Sequence, residues 1–213
     1  MLKYLQFIFE RNSTDPIPEL NDSGKLGIIL LGIPGSGKST FAQSYIKRKM
    51  KKFSTDDVSL EFTGDVKKYY PKASEINLNR LSSWIKKGGD FIYDATGKHE
   101  ESVSRVYNEA KSAQYKVIFI LILIDKETAI KQNIRRGRIG GHETDVEYIE
   151  EVYEKQLETT KNYLKLNPDG FYVVLSKSQD TPLSDFPAIK YKFMKFDKEG
   201  ILMRRKKNRY EYR

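Results

Sequence analysis

The sequence predicts an α/β fold in which helices flank a parallel β-sheet, and three observations predict it. Two continuous apolar runs, residues 26–31 and 117–124, are typical of strands buried on both faces of a sheet. Helical patterns alternate with strand patterns along the chain, which favours parallel strands joined by right-handed crossovers. A glycine-rich turn also lies directly between the first strand and a predicted helix. The length of 213 residues suits one hydrophobic core.

The other elements follow from hydrophobic periodicity and from turn residues. A stripe of Leu78, Leu81, Trp84 and Ile85 has helical spacing and ends at two glycines, so Trp84 is expected to face the core. The predicted helices cover about residues 38–50, the stretch around this stripe, 101–113, 126–136 and 146–164. Strands are expected at 91–93 and 171–175, and a strand ends before Asp56.

Composition divides the chain into three predicted parts. Residues 1–24 form an N-terminal extension that reads as a linker, because Pro16, Pro18 and the turn-forming residues 21–24 precede the first strand. Residues 25–185 form the central domain, and residues 186–213 form a basic C-terminal segment. That segment alternates apolar residues with lysines and contains a turn signal at 197–200, which predicts a β-hairpin.

The formal charge of +9 is concentrated in the C-terminal segment. Residues 186–213 carry ten lysines and arginines against three acidic residues, a net charge of +7, so the rest of the chain is nearly neutral. Such a segment suggests an anionic partner, and nucleic acid before a membrane. The alternatives are a solvated tail and, for its aromatic residues, the buried face of the hairpin.

The absence of cysteine excludes a disulfide scaffold, a thiolate metal site and a cysteine nucleophile. Two histidines leave little for a zinc site. The longest apolar run has eight residues, far fewer than the ~20 that a membrane span requires. No secretory signal is recognisable, and we expect a cytoplasmic protein.

Residues 32–39 match the phosphate-loop pattern G-x-x-x-x-G-K-S/T in its required place between a strand and a helix. Glycines let the backbone N–H groups turn toward a polyphosphate, and the helix N-terminus adds positive potential. Lys38 is expected to reach the β- and γ-phosphates of ATP, and the Ser39 hydroxyl to hold Mg²⁺. The predicted nucleotide-binding set is Gly32, Pro34, Gly35, Ser36, Gly37, Lys38, Ser39 and Thr40, with Arg135 from later in the chain.

Other features narrow the reaction class. The chain has no Asn-Lys-x-Asp motif, with which a GTPase would read guanine, and it is short for a helicase or a transport ATPase. Asp56 and Asp57 after the first helix, and Arg135, Arg136 and Arg138 in a glycine-flanked loop, are what a small kinase needs. Such an enzyme needs a base beside the acceptor hydroxyl and positive charge that closes over the phosphoryl group as a mobile lid.

Residues 32 to about 166 resemble the P-loop kinases of the polynucleotide kinase and zeta toxin type, including tRNA kinases of that group. The resemblance rests on GIPGSGKST, on Thr55-Asp56-Asp57, and on Gln132-Asn133-Ile134-Arg135-Arg136-Gly137 followed by a helix with Tyr153. It implies Asp56 as the general base and Arg136 as the arginine that clamps the phosphates. The segment from Arg138 to His142 is more similar to zeta toxins, which phosphorylate a nucleotide sugar.

One position departs from the family pattern, and several candidates keep two interpretations. Ser59 stands where the family usually has an arginine that contacts the acceptor-side phosphate. Asp94, in an Asp-x-Thr turn resembling that of the family, is favoured for the magnesium site over Asp125, which is otherwise a helix cap. Asp57 is a cap or a supporting residue, and His142 receives no role.

The sequence therefore predicts an ATP- and Mg²⁺-dependent kinase that phosphorylates a hydroxyl of a nucleic acid. The acceptor is a polynucleotide 5′-hydroxyl or a hydroxymethylated base in DNA, with DNA favoured over RNA. Catalysis is assigned to Asp56, Lys38, Arg136 and Arg138, and metal binding to Ser39 and Asp94. The alternatives are a zeta-toxin-like kinase of a small molecule and a nucleotide-binding regulatory module without an acceptor.

Overall fold

A parallel five-stranded sheet is the centre of the molecule in a computed structural model. The model describes residues 17–21, 23–46, 48–62, 66–138, 143–177, 190–196, 202–206 and 209–211. The strand order is β2-β3-β1-β4-β5, followed by three antiparallel strands. The parallel strands are β1 (Leu26–Leu31), β2 (Lys51–Ser54), β3 (Phe91–Ala95), β4 (Lys116–Leu123) and β5 (Gly170–Lys177). The α/β fold with a P-loop-type parallel sheet, predicted from the sequence, is confirmed.

Six α-helices connect these strands in the described residues. They are α1 (Lys38–Tyr45), α2 (Thr55–Ser59), α3 (Val66–Lys86), α4 (Glu100–Ser112), α5 (Lys126–Arg138) and α6 (Val146–Lys165). Helix α1 ends five residues before the predicted boundary because Ile46 leaves the helical conformation and is buried. Arg48 then binds Asp90 (2.6 Å) and the carbonyl of Gly24 (2.6 Å), which directs the chain into β2.

The alternation of side chains along each strand produces two separate cores. In β1, Ile29 and Leu31 face one side of the sheet, where α3, α4 and α6 cover them. Ile28 and Leu30 face the other side and pack with Phe41 of α1. Both faces exclude water at β1, so this strand carries no polar residue at any position and does not alternate.

The segment before β1 packs on the second core. Ile17 has 1% of its surface exposed, and residues Pro18–Asn21 form a 3-10 turn. The Tyr172 hydroxyl donates a hydrogen bond to the buried Glu19 carboxylate. Ile17, Glu19 and Leu20 therefore pack on the core, so the linker interpretation does not hold for these residues. Residues 1–16 lie outside the described residues.

The C-terminal segment extends the sheet. Strand β6 (Lys190–Phe196) pairs antiparallel with β5, and β7 (Leu202–Lys206) pairs antiparallel with β6. Strand β8 (Arg209–Glu211) pairs with β7. The backbone of the predicted hairpin is thus confirmed, while its turn at 197–200 and residues 178–189 lie outside the described residues. The division into three parts stays a prediction.

In the ranges given above, no helix combines the length and the apolar character that crossing a membrane requires.

Candidate active site at the carboxyl edge of the sheet

The predicted phosphate loop connects the carboxyl end of β1 to the first turn of α1. Gly35 and Gly37 have φ values of 79° and 86°, a left-handed conformation that residues with a Cβ rarely adopt. A Cβ on Gly35 would also lie 2.3 Å from the carbonyl oxygen of Ala129 in α5. The loop is consequently held in a curled shape and pressed against the helix that carries the arginine cluster.

Lys38, the first residue of α1, folds its side chain back over this loop. Its Nζ donates to the carbonyl oxygens of Gly32 (2.7 Å) and Ile33 (3.2 Å). The same nitrogen lies 4.0 Å from Oδ1 of Asp94, and only 12% and 10% of the two side chains are exposed. The ammonium thus sits at the mouth of the loop, with a carboxylate from β3 facing it.

The pairing of strands determines the position of Asp94. Asp94 is opposite Leu30 of β1 on one side and Ser54 of β2 on the other, close to the carboxyl ends of all three strands. The turn that follows is fixed by the Tyr163 hydroxyl, which donates to the carbonyl of Gly97 (2.6 Å). Asp94 is accordingly placed between the phosphate loop and the start of α2.

Burial acts on both charged groups. It lowers the pKa of Lys38 below its ordinary value, and the Asp94 and Asp56 carboxylates offset part of this effect. Burial also raises the pKa of Asp94, with Lys38 and then Lys52 acting in the opposite direction. Burial thus disfavours the charged form of each group, and the attraction between Lys38 and Asp94 opposes this effect.

Asp56 lies in the first turn of α2, immediately after β2. Its side chain is exposed, and its carboxylate is within electrostatic range of Lys38 and Asp94. The Ser59 hydroxyl donates to the backbone carbonyl of Asp56 (2.7 Å), and Ser59 has only 3% of its surface exposed. Ser59 thus closes the helical turn and does not reach toward a ligand.

Asp57 has a different environment. It forms an ion pair with Lys52 of β2, with 2.8 Å between the charged atoms. Lys52 also lowers the pKa of Lys38 and that of Asp94, so its charge is felt at the centre of the site. Asp57 holds this lysine, which agrees with a supporting role and not with a helix cap.

Tyr70 of α3 is a site residue that sequence reasoning missed. Burial raises the pKa of its phenol, and so do the nearby Asp56 carboxylate, Tyr148 and Tyr93, with a hydrogen bond between Tyr70 and Asp56 contributing. Since the phenol stays protonated, it is the donor and the carboxylate is the acceptor. In the sequence Tyr70 is one of several aromatic residues in a helical pattern, and nothing in the spacing distinguishes it.

The sequence pattern suggested that the arginine cluster lies in a glycine-flanked loop. The structure places it in a helix instead. Arg135, Arg136 and Arg138 all belong to the last turns of α5, with Gly137 inside the helix. Arg136 is half-buried, its Nε has no hydrogen-bond partner in the structure, and its charge lowers the pKa of Lys38. The predicted helix over 126–136 is confirmed for Arg135 and Arg136, and the loop prediction is wrong at Gly137 and Arg138. Residues 139–142, with His142, lie outside the described residues.

Two side chains hold α5 in place. The carboxylate of Asp125 accepts a hydrogen bond from the backbone N–H of Thr128 (2.8 Å), so Asp125 caps the helix, as its alternative interpretation stated. Asn133, which is fully buried, donates to the carbonyl of Thr144 (2.7 Å) and accepts from its N–H (3.0 Å). The chain entering α6 is thereby fastened to α5 two turns away from Asp125.

The residues at this edge suit a magnesium-bound polyphosphate. The curled loop, Lys38 and the unpartnered Nε of Arg136 offer positive charge and N–H donors to phosphate. Ser39 and Asp94 offer the oxygen ligands that Mg²⁺ prefers, with water and phosphate as the usual remaining ligands. Among the described residues no group of three or more histidine or acidic side chains is placed to hold a metal ion alone.

Comparison with known proteins identifies the family. The AAA_33 family, described as an AAA domain, matches residues 28–163. The match covers more than half of the chain, which therefore belongs to this family of kinase-like P-loop domains. None of the curated proteins matches the chain.

Solved structures with the same fold include the following three. A chain of the Pnkp1/Rnl/Hen1 RNA repair complex is 22% identical with a TM-score of 0.56, and the match covers 68% of this protein and 49% of that chain. The PezAT toxin–antitoxin system of Streptococcus pneumoniae gives 18% identity, a TM-score of 0.55, and coverage of 72% and 70%. AvrRxo1-ORF1:ORF2 with ATP gives 10% identity, a TM-score of 0.62, and coverage of 91% and 62%.

At these identities the likeness establishes the fold, and the chain spans about half the length of the RNA repair protein that it matches. The resemblance to P-loop kinases of the polynucleotide kinase and zeta toxin type is confirmed at the level of family and fold.

Proposed function

We propose that the protein is an ATP-dependent kinase that transfers the γ-phosphoryl group to a hydroxyl of a nucleic acid. The observation that carries the proposal is the convergence of two cations and two carboxylates at the carboxyl edge of the sheet. Lys38 contacts Asp94, and it interacts electrostatically with Asp56 and Arg136. Lys38 and Arg136 repel each other and are stabilised when a polyanion binds between them, and the Asp56 carboxylate, which interacts with Lys38, is suited to deprotonate an acceptor.

ATP is proposed to lie with its β- and γ-phosphates in the curl of the phosphate loop. The N–H groups of residues 32–40 bind phosphate oxygens, and Lys38 exchanges its bonds to loop carbonyls for bonds to phosphate. Ser39 and Asp94 are proposed to hold Mg²⁺, which supplies additional neutralisation of the phosphate charge when it is bound. Arg136 is proposed to bind the γ-phosphate from the side of α5, with Arg135 and Arg138 as further candidates on the same helix end.

Asp56 is proposed as the general base. The acceptor oxygen forms a bond to the γ-phosphorus while the bond from that phosphorus to the β–γ bridging oxygen breaks, and ADP leaves. The proton of the hydroxyl passes to the Asp56 carboxylate. Tyr70 donates a hydrogen bond to this carboxylate and holds it in place.

Two observations support the proposal that the acceptor is a nucleic acid. One is the likeness to a chain of the Pnkp1/Rnl/Hen1 RNA repair complex. The other is the net charge of +7 on residues 186–213. Because Ser59 is buried, the acceptor-side phosphate must be bound by a group other than the side chain three positions after Asp56.

The likeness to the PezAT system favours a second candidate, a kinase of a small molecule such as a nucleotide sugar. Both candidates share the chemistry at Asp56 and differ only in the acceptor. One experiment separates them: transfer from labelled ATP to single- and double-stranded DNA, RNA, DNA with hydroxymethylated bases, and nucleotide sugars. Product on an oligonucleotide supports the first candidate, and product on a nucleotide sugar alone supports the second.

Asp56→Asn and Asp57→Asn form a matched pair for the proposed base. We expect Asp56→Asn to lower kcat by about 100- to 10,000-fold with little change in ATP affinity, because general-base catalysis contributes that much. Asp57→Asn removes a neighbouring carboxylate that is engaged with Lys52 and is expected to retain activity within a few fold. Equal effects in the two variants would show that the base is misassigned, and ATP binding without product in every acceptor would support a regulatory module.

A further inference from the structure

A continuous face of α3 carries exposed cations beside aromatic rings. Successive members of this face are three or four residues apart and therefore lie on one side of the helix. We call it the α3 stripe, and it consists of Tyr69, Lys72, Ile76, Arg80, Ser83 and, just beyond the helix end, Lys87. The stripe is roughly 27 Å long, since a helix rises about 1.5 Å per residue.

The first end of the stripe adjoins the proposed active site. The rings of Phe62 and Tyr69 stack with 5.2 Å between centroids and 7° between planes. Lys72 places its ammonium 5.8 Å from the Phe62 ring, and Lys68 places its ammonium 5.9 Å from the Tyr69 ring. Phe62 follows the helix that carries Asp56, and the residue after Tyr69 is the tyrosine that hydrogen-bonds to Asp56.

The other end of the stripe opens into a concavity beside the edge strand β2. Its lining residues are Lys51, Ile76, Asn79, Arg80, Ser83, Trp84 and Lys87. Lys51 lies 4.8 Å from the centre of the Trp84 ring, and the indole N–H donates to the carbonyl of Asp90 (3.0 Å). A partly exposed aromatic ring and a lysine are thus paired at both ends of the same face.

The stripe is positively charged along its length. Lys51, Lys72, Arg80 and Lys87 are exposed cations on it or at its concavity. The acidic group that interrupts it is Glu61, whose two oxygens accept from Arg80 at 2.5 and 2.8 Å. Glu75 lies on the neighbouring side of the helix, so three of the four cations face solvent without an acidic partner described on this face.

We infer that the α3 stripe binds the single-stranded acceptor nucleic acid and leads its terminal hydroxyl to Asp56. Lysines beside exposed rings are the combination that single-strand binding uses, with phosphates on the cations and bases stacked on the rings. An ammonium that rests over a ring gains a stronger partner when a phosphate arrives. The length of the stripe suits about four or more nucleotides. The inference rests on the proposed function, but it is independent of the basic C-terminal segment.

The test compares two acceptors of different length. Dithymidylate and an eight-residue oligothymidylate, both with a free 5′-hydroxyl, are phosphorylated with labelled ATP by the full chain. The stripe variant is Lys51→Glu with Lys87→Glu, which lie at the end of the stripe away from Asp56. The control variant is Lys161→Glu with Lys165→Glu on the exposed side of α6, which makes the same change in net charge.

We expect the stripe variant to raise the KM for the eight-residue acceptor at least 10-fold while the KM for dithymidylate and kcat stay within twofold. The salt dependence of eight-residue binding, measured by fluorescence anisotropy, should become shallower by about 1.4 in the log–log slope, since two phosphate contacts are lost. The control variant should match the parent protein, and thermal melts verify that both variants fold.

Two results overturn the inference. One is an eight-residue KM that changes no more in the stripe variant than in the control; the other is equal binding by the two variants in the anisotropy assay. Equal binding by the two variants would indicate that the stripe binds an acidic protein instead of a nucleic acid. If no oligonucleotide is phosphorylated, the proposed acceptor is wrong, and the anisotropy comparison alone then decides whether the stripe binds nucleic acid.

Discussion

The ammonium of Lys38 lies 4.0 Å from the carboxylate of Asp94 in a setting where both side chains are almost fully buried. This pair connects the first turn of α1 with the end of β3. Hydration lost on burial destabilises each charge separately, and their mutual attraction restores part of that loss. In the proposed function, ATP and Mg²⁺ would replace this contact with a phosphate contact at Lys38 and a metal contact at Asp94.

Replacing either Lys38 or Asp94 alone should lower the free energy of unfolding more than replacing both. Lys38→Met leaves a buried carboxylate without its nearest cation, and we expect it to lower the free energy of unfolding by about 1–3 kcal/mol. In a double-mutant cycle with Asp94→Asn, the expected coupling is about 1–2 kcal/mol. Chemical denaturation of the four proteins measures it, and additive losses would contradict a direct interaction.

The pH dependence of stability should reveal the raised pKa of Asp94. Its pKa in the folded protein is raised above the ordinary value by burial, so the folded state binds this proton more tightly than the unfolded state does. The free energy of unfolding contributed by Asp94 thus falls as pH rises from about 4 through the raised pKa. Asp94→Asn removes this decline, so the melting temperature of the variant relative to the parent should increase between pH 4 and 7. A constant difference between the two melting curves would argue against the raised pKa.

The parallel strands, the phosphate loop and the cation of Lys38 could be predicted because local signals specify them. Continuous apolar runs identify doubly covered strands, and the loop motif requires a strand before it and a helix after it. The end of α1 could not be predicted from the run of basic residues that follows it, Lys47, Arg48, Lys49, Lys51 and Lys52. What terminates that helix is the contact of Arg48 with Asp90, which is 42 residues away in sequence.

The placement of Gly137 and Arg138 was wrong for a related reason. Gly137 between arginines suggested a loop, yet α5 continues to Arg138. The capping of the helix by Asp125 and its fastening to Thr144 by Asn133 outweigh a single glycine, whose cost in a helix is only about 1 kcal/mol. Tyr70 was missed because its function depends on an approach to Asp56 across two helices.

Tyr70 should affect the chemical step more than binding. Tyr70→Phe keeps the ring and removes the hydrogen bond to Asp56, so we expect kcat to fall about 10-fold with an unchanged KM for ATP. Tyr107→Phe is the matched control, because it also removes a tyrosine hydroxyl bond, to the carbonyl of Asn167 (3.1 Å), in the core. In the Asp56→Asn background the loss from Tyr70→Phe should largely disappear. Equal losses with and without Asp56 would assign Tyr70 a different role.

Asn133 should govern the stability of the α5–α6 connection. Asn133→Ala removes both bonds to Thr144 and leaves a partly buried backbone donor and acceptor without these partners, so we expect the free energy of unfolding to fall by about 1–3 kcal/mol. Hydrogen exchange at Thr144 should accelerate in this variant. Asn79→Ala, at an exposed position of α3, is the control and should change stability by less than about 0.5 kcal/mol. Unchanged exchange at Thr144 would mean that the two bonds do not hold the connection.

Arg136 is the residue at which charge and geometry can be tested separately. Its Nε is buried without a partner and its charge is felt by Lys38, which is the state of a guanidinium prepared for a phosphate. Arg136→Lys keeps the charge but loses the planar fork of donors, and we expect kcat to fall at least about 100-fold with a smaller change in ATP affinity. Arg105→Lys, at an exposed position of α4, should leave both unchanged. Because a buried Nε without a hydrogen-bond partner also destabilises the free protein, Arg136→Gln should raise the melting temperature without ATP and reduce the stabilisation that ATP gives. A variant that lost stability in both states would show instead that Arg136 serves the packing of α5 rather than the ligand.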